Sequence, residues 1–195
     1  MNLLDRPCWV FDLDGTLTVA KHDFDDFRAR LGLPAGRGIL ESIRDLPPDA
    51  RERVLEAVAE WENEVAERAE AAPDTRPLLE ELRRRDAKLG ILTRNTRQAA
   101  VVTLEGSGLM EFFPHCWILG RHDAAAKPAP DGVLFLMRAW TAEAAQMVMV
   151  GDFRHDIAAG NAAGAATVLI DRGDRFAQAH QATVRVRALT ELLDG

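Results

Sequence analysis

The sequence predicts an α/β fold: a mainly parallel sheet flanked by helices, with a small α-helical segment inserted after the first strand. Three observations predict it. Short β-favouring runs that are apolar on both faces alternate with stretches of helical periodicity, the signature of βαβ units whose sheet is covered on both sides. Several of these runs end abruptly in polar residues, as expected where the carboxyl ends of parallel strands open onto a ligand crevice. Residues 19–74 break the alternation, with no convincing strand and an abundance of Glu, Arg and Ala.

The first strand is the run Cys8-Trp9-Val10-Phe11, which opens into Asp12-Leu13-Asp14-Gly15-Thr16. Within the insertion, helical patterns cover 24–31 and 39–46, separated by the breakers Gly32, Pro34, Gly36 and Gly38; the second pattern stops at Pro47-Pro48. A longer helix is predicted over 49–71, with Asp49 as N-cap candidate, Val54, Leu55, Val58, Trp61 and Val65 at helical spacing, and Pro73 beyond its end. A helix over 76–85 then leads to a buried strand over 88–93, which runs into Arg94-Asn95. Helices follow over 97–106, 130–140, 156–163 and 189–193. Between them lie a strand over 146–150 that runs into Gly151-Asp152, weaker strands over 116–119 and 167–170, and a short edge strand over 183–186.

At 195 residues the chain supports one well-buried core with room for a small inserted module. A formal net charge of -7 argues against a surface built to neutralise nucleic acid or an anionic membrane, so any anion must be held by a few aimed groups. Cys8 and Cys116 both adjoin apolar residues and read as buried packing thiols rather than as a disulfide framework. No run is long and apolar enough for a membrane span, and a cytoplasmic enzyme is the expectation.

Asp12 and Asp14 stand two residues apart at a strand end, so in extended geometry both carboxylates face the same side. One carboxylate oriented by a divalent cation can attack a phosphoryl group while the other protonates the leaving oxygen. With 17 Asp, 14 Gly and 10 Thr in the chain, Asp-x-Asp-Gly-Thr arises by chance with a probability of about half a per cent. The pattern therefore carries weight even before its place after a strand is considered.

The motifs resemble those of the haloacid dehalogenase superfamily of phosphohydrolases, and the resemblance runs along essentially the whole chain. Its carriers are Phe11-Asp12-Leu13-Asp14-Gly15-Thr16-Leu17, Thr93 at the end of the next core strand, Lys127-Pro128, and Gly151-Asp152-Phe153-Arg154-His155-Asp156, in that order. The resemblance implies a Rossmann-like core over 1–18 and 75–195, a helical cap over 19–74, and closest likeness to the phosphoglycolate-phosphatase-like subgroup. It implies that Asp12 forms an aspartyl phosphate and Asp14 acts as general acid and base. Thr93, Lys127, Asn95 and the main-chain N–H groups of Leu13 and Arg94 would hold the substrate. Mg²⁺ would be bound by Asp12, the main-chain carbonyl of Asp14 and Asp152, with Asp156 as a further ligand or as support behind the ligands, a hard-oxygen set of the kind that cation prefers. The implied substrate is a small-molecule phosphate ester, with no nucleic-acid or membrane partner and a monomeric or homodimeric chain.

The cap is where specificity would be set; candidates are His22, Arg28, Arg37 and Arg44, with Arg94, Asn95 and Arg154 on the core side. A dehalogenase would lack Asp14 and the metal, and a phosphonate-cleaving relative needs a cap lysine that Lys21 supplies poorly. A phosphosugar mutase shares all four motifs, and a phosphate-accepting regulator is the non-enzyme alternative.

Overall fold

The computed structural model describes residues 2–19, 24–173 and 181–194. Its frame is a six-stranded sheet with every pair parallel, in the order β3-β2-β1-β4-β5-β6. The strands are β1 (Cys8–Phe11), β2 (Lys88–Leu92), β3 (Ile118–Leu119), β4 (Met147–Gly151), β5 (Ala166–Ile170) and β6 (Val184–Val186). β1 lies between β2 and β4, with Val10 opposite Gly90 on one side and Met149 on the other. The chain thus leaves β1 in one direction and later returns to its other side, which makes the carboxyl end of β1 the topological switch point where such sheets bind ligands.

Side chains that alternate along β1 supply both cores. Trp9 and Phe11 point into a cluster with Leu78, Leu82, Ile91, Leu104, Phe113, Val150 and Leu189. Cys8 and Val10 point into the opposite cluster with Val133, Leu136, Trp140, Met147 and Met149. The covering helices are α4 (Thr75–Arg84), α5 (Arg97–Gly106), α6 (Asp131–Ala139) and α7 (Arg154–Ala162). The amphipathic α4 buries Leu78, Leu79 and Leu82 and leaves its arginines outside.

The inserted segment forms α1 (Phe24–Arg30), α2 (Ile39–Ile43) and α3 (Pro48–Ala66) around its own apolar cluster of Phe27, Leu33, Ile39, Ile43 and Val58. Trp61 stacks on Phe27 with ring centroids 4.1 Å apart. The two ends of the segment meet beside β1: Thr18 bridges Ala71, the Val19 N–H donates to Glu70 O, and the Ala72 N–H donates to Leu17 O.

Several boundaries differ from the sequence reading for local reasons. The third helix of the insertion ends at Ala66 rather than at 71, because Glu70 to Ala72 are drawn into the pairing with Leu17 to Val19. Its N-cap is Pro47, with Pro48 in the first turn, where a missing N–H costs nothing; Asp49 instead adds first-turn charge. The strand expected over 116–119 shrinks to Ile118–Leu119, since His115–Trp117 form a 3₁₀ turn after Pro114, and that turn leaves Cys116 exposed rather than packed. The terminal helix, Leu189–Leu193, is also 3₁₀. Among the described residues, no helix is long and apolar enough to cross a membrane.

Candidate active site

Asp12 continues the ladder of β1, its N–H donating to Val150 O at 2.9 Å, so its side chain emerges at the sheet's carboxyl edge. The following loop folds back on itself: the N–H groups of Leu17 and Thr18 both donate to Leu13 O, and the Gly15 N–H donates to Thr18 O. Gly15 sits at φ +83°, and a Cβ there would stand 2.5 Å from Asp152 Oδ2. Only glycine meets both conditions. Leu13 buries its side chain in the core and, unlike Asp12 and Asp14 on either side, is not among the residues that line the cleft.

Residues from other loops and element ends converge on Asp12. Lys127, 2% exposed, places Nζ 2.6 Å from Asp12 Oδ1 and 2.7 Å from Asp156 Oδ1. Burial alone would lower the Lys127 ammonium, but the carboxylates of Asp12 and Asp156 outweigh it and hold the group above its ordinary value. Thr16 Oγ1 donates to Asp12 Oδ2 at 3.3 Å. Thr93 follows β2, its N–H donating to Leu119 O, and its Oγ1 accepts the Asn95 N–H at 3.1 Å. Asp156 lies in the first turn of α7 and accepts the Phe153 N–H at 3.0 Å. Oxygens of Asp12, Asp152 and Asp156 lie within 4.8 Å of one another. Three close hard-oxygen donors, one of them buried, fit a divalent cation with waters completing its shell.

Asp14 has different surroundings. Its Oδ2 accepts from Asn95 Nδ2 at 2.8 Å. Burial, then the nearby carboxylates of Asp12 and Glu62, push its pKa up to about 7 against the pull of Lys127 and Asn95. Two carboxylates two residues apart thus face an ammonium in one case, and an amide with other carboxylates in the other.

These residues line one cleft of about 520 Å³, roofed by the inserted helices. It brings together Asp12, Asp14, Thr93, Arg94, Asn95, Lys127, Asp152, Asp156 and Arg154. Of the expected specificity groups in the insertion, Arg28 and Arg37 line the cleft and pair with Asp25 and Asp45. Arg44 is exposed at the end of α2 and is not among the residues lining the cleft, and His22 lies outside the described residues.

Sequence reasoning missed Glu41, Glu62, Arg121 and His155. Arg94 Nη2 donates to Glu41 Oε1 on α2, and its Nη1 donates to His155 Nδ1, each at 2.5 Å. A guanidinium only donates, so His155 accepts there as a neutral ring. Burial and then the Arg94 charge lower its pKa to about 4. Glu62 was detectable in principle, since it lies four residues after Val58 on the apolar stripe of α3. The others make contacts across long sequence separations that no local pattern encodes.

Comparison with known proteins finds relatives along most of the chain. The family model for haloacid dehalogenase-like hydrolases matches residues 8–164. A haloacid dehalogenase-like hydrolase domain-containing protein of Arabidopsis thaliana is 34% identical over 179 residues, covering 86% of this chain and 71% of that one. A phosphoglycolate phosphatase of Pseudomonas syringae pv. syringae is 31% identical over 191 residues, covering 84% and 69%. Among solved structures, a hydrolase from Pseudomonas syringae has the same fold, with TM-score 0.78 at 22% identity over 96% of both chains.

Proposed function

The chain belongs to the haloacid dehalogenase-like hydrolases, and from that premise we propose that it is a Mg²⁺-dependent phosphatase that cleaves a small-molecule phosphate monoester through an aspartyl phosphate on Asp12. The observation that carries the reading is the contrast between the two carboxyl groups. Asp12 faces the Lys127 ammonium at 2.6 Å, while the half-buried Asp14 carboxyl stands near other carboxylates with a pKa pushed up to about 7. Neighbouring carboxyl groups whose environments differ in this way divide into nucleophile and proton carrier.

In the first step an Asp12 oxygen attacks phosphorus, the bond from phosphorus to the ester oxygen breaks, and Asp14 gives that oxygen its proton. In the second, Asp14 takes a proton from a water that attacks the aspartyl phosphate, which releases inorganic phosphate and restores Asp12. Lys127, the Thr93 hydroxyl and the main-chain N–H groups of Leu13 and Arg94 hold the phosphoryl oxygens as charge shifts among them. Asp12, Asp152 and Asp156, with the main-chain carbonyl of Asp14, would hold Mg²⁺, which supplies charge neutralisation on the transferring group.

Residues 19–74 serve as the cap and residues 1–18 and 75–195 as the catalytic core, with Arg28, Arg37 and Arg94 facing the part of the substrate that does not react. A phosphoglycolate-like ester is the working substrate class, in keeping with the name of the Pseudomonas syringae relative, and the cytoplasm is the working location. The test is release of inorganic phosphate from a chromogenic phosphate ester by the purified protein. Turnover should require Mg²⁺ and vanish in a folded Asp12→Asn variant. Full turnover by Asp12→Asn would remove the nucleophile assignment, and isomerisation of a sugar phosphate faster than phosphate release would make the chain a mutase.

A further inference from the structure

Glu62 stands on α3, one turn beyond Val58, and its side chain is 6% exposed. A carboxylate buried on an apolar helix face is costly unless its oxygens are matched. They are matched by the core. Arg121 Nη1 donates to both oxygens, at 2.5 and 2.7 Å, and the Thr96 N–H donates to Oε2 at 3.3 Å.

Both partners grip one short stretch of chain. Arg121 donates its own N–H to Asn95 O at 2.9 Å, and Gly120 packs so close that a Cβ there would come within 2.9 Å of the same oxygen. Thr96 follows Asn95 directly and anchors the start of α5 by accepting the Ala99 N–H on Oγ1 at 3.1 Å. Asn95 in turn donates Nδ2 to Asp14 Oδ2 at 2.8 Å. An unbroken path of short contacts therefore runs from a helix of the insertion, through the loop after β2, to the proposed proton carrier.

We infer that Glu62 is a positioning residue for Asp14, holding through Thr96 and Arg121 the loop whose Asn95 side chain fixes the Asp14 carboxyl against the leaving oxygen. The inference rests on the phosphatase reading above. A buried ion pair is poor value as a source of stability alone, since well-packed apolar residues would serve as well. What this pair adds is direction. It ties the seating of the inserted helices to the placement of the acid.

The test compares kcat/KM for two esters at saturating Mg²⁺: an activated aryl phosphate, whose leaving oxygen needs no proton, and an alkyl phosphate, whose leaving oxygen does. Since general acid catalysis contributes about 10²- to 10⁴-fold, Glu62→Ala should lower the alkyl rate about tenfold or more and the aryl rate less than about threefold. Asn95→Ala should show the same ester dependence, and the double variant should add little to either loss because both act on one path. Glu62→Gln, which keeps an acceptor for Thr96, should recover most of the alkyl rate. If Glu62→Ala fails to fold around an unpaired Arg121, Glu62→Leu/Arg121→Met removes the acceptor for Thr96 without leaving a lone buried charge, and the same loss on the alkyl ester is expected. Equal losses on both esters, or none on either, would overturn the inference while leaving the phosphatase reading intact. A wild-type chain that cleaves neither ester would overturn both.

Discussion

Lys127 and Asp12 form a buried ion pair, Nζ to Oδ1 at 2.6 Å, and the same ammonium reaches Asp156 at 2.7 Å. One cation therefore holds two carboxylates that would otherwise repel at the end of β1. Removing it by Lys127→Met leaves both charges without their cationic partner, Asp156 almost wholly out of water and Asp12 at the edge of the cleft. Breaking a buried pair in this way costs about 3–5 kcal/mol, so urea unfolding in the presence of a chelator should show a loss of that order. Loss of the charge on the phosphoryl oxygens should also lower kcat/KM by about 10²-fold or more. Unchanged stability would mean that the pair does not hold the site together.

Gly15 is constrained twice, by its φ of +83° and by Asp152 Oδ2 lying 2.5 Å from where a Cβ would be. Gly15→Ala meets a left-handed backbone cost of about 1–2 kcal/mol, and its methyl group pushes the Asp152 carboxylate away from Asp12 and Asp156. The half-saturating Mg²⁺ concentration for turnover should rise about tenfold, since groups that orient metal ligands are worth 10- to 100-fold in affinity. Restored turnover at high Mg²⁺ would separate this effect from unfolding. An unaltered Mg²⁺ dependence would argue that Asp152 is not a ligand.

The surface of α4 sets part of the acid stability. Glu81 accepts hydrogen bonds from Arg84 and Arg85, which lower its pKa from 4.5 to about 2. A carboxyl group whose folded pKa is depressed stabilises the fold above its unfolded pKa, and that contribution fades as pH falls through the window from 4.5 to about 2. Glu81→Gln should therefore flatten the pH dependence of the melting temperature across that window and leave it unchanged near neutrality. Because the group is exposed, 1 M NaCl should largely abolish the difference between the two proteins.

Most of what positions the chemistry was legible because it is local. Strands buried on both faces must be apolar throughout, so β1, β2 and β4 stand out, and the polar residues at their ends mark the crevice before any fold is seen. Asp12, Asp14, Thr93 and Asp152 follow such ends, Lys127 comes from the loop before α6 and Asp156 from the first turn of α7, and all six line one cleft. The cleft's other wall was opaque. Glu41 meets Arg94 across 53 positions and Glu62 meets Arg121 across 59, pairings set by how the inserted helices lie on the core rather than by any short pattern. Cys116 failed for a local reason, since it lies in the 3₁₀ turn His115–Trp117 after Pro114, in which no residue is buried.

Arg94 and Glu41 lead to the last prediction. Burial alone would raise the Glu41 carboxyl, but Arg94 outweighs it and holds the group below the ordinary carboxylate range. A charged carboxylate thus occupies the guanidinium that faces the cleft, where a second anionic group on a substrate would compete for it. Removing the competitor with Glu41→Ala should lower KM for a phosphate ester bearing a carboxylate by about threefold to tenfold, the range of a charge-assisted contact worth roughly 1 kcal/mol. For an uncharged alkyl phosphate KM should hardly move, since nothing in that molecule seeks Arg94. Arg94→Ala should raise KM for the carboxylated ester alone, with the main-chain N–H at position 94 still in place. Equal shifts for both esters would mean that Glu41 and Arg94 only hold the inserted helices to the core.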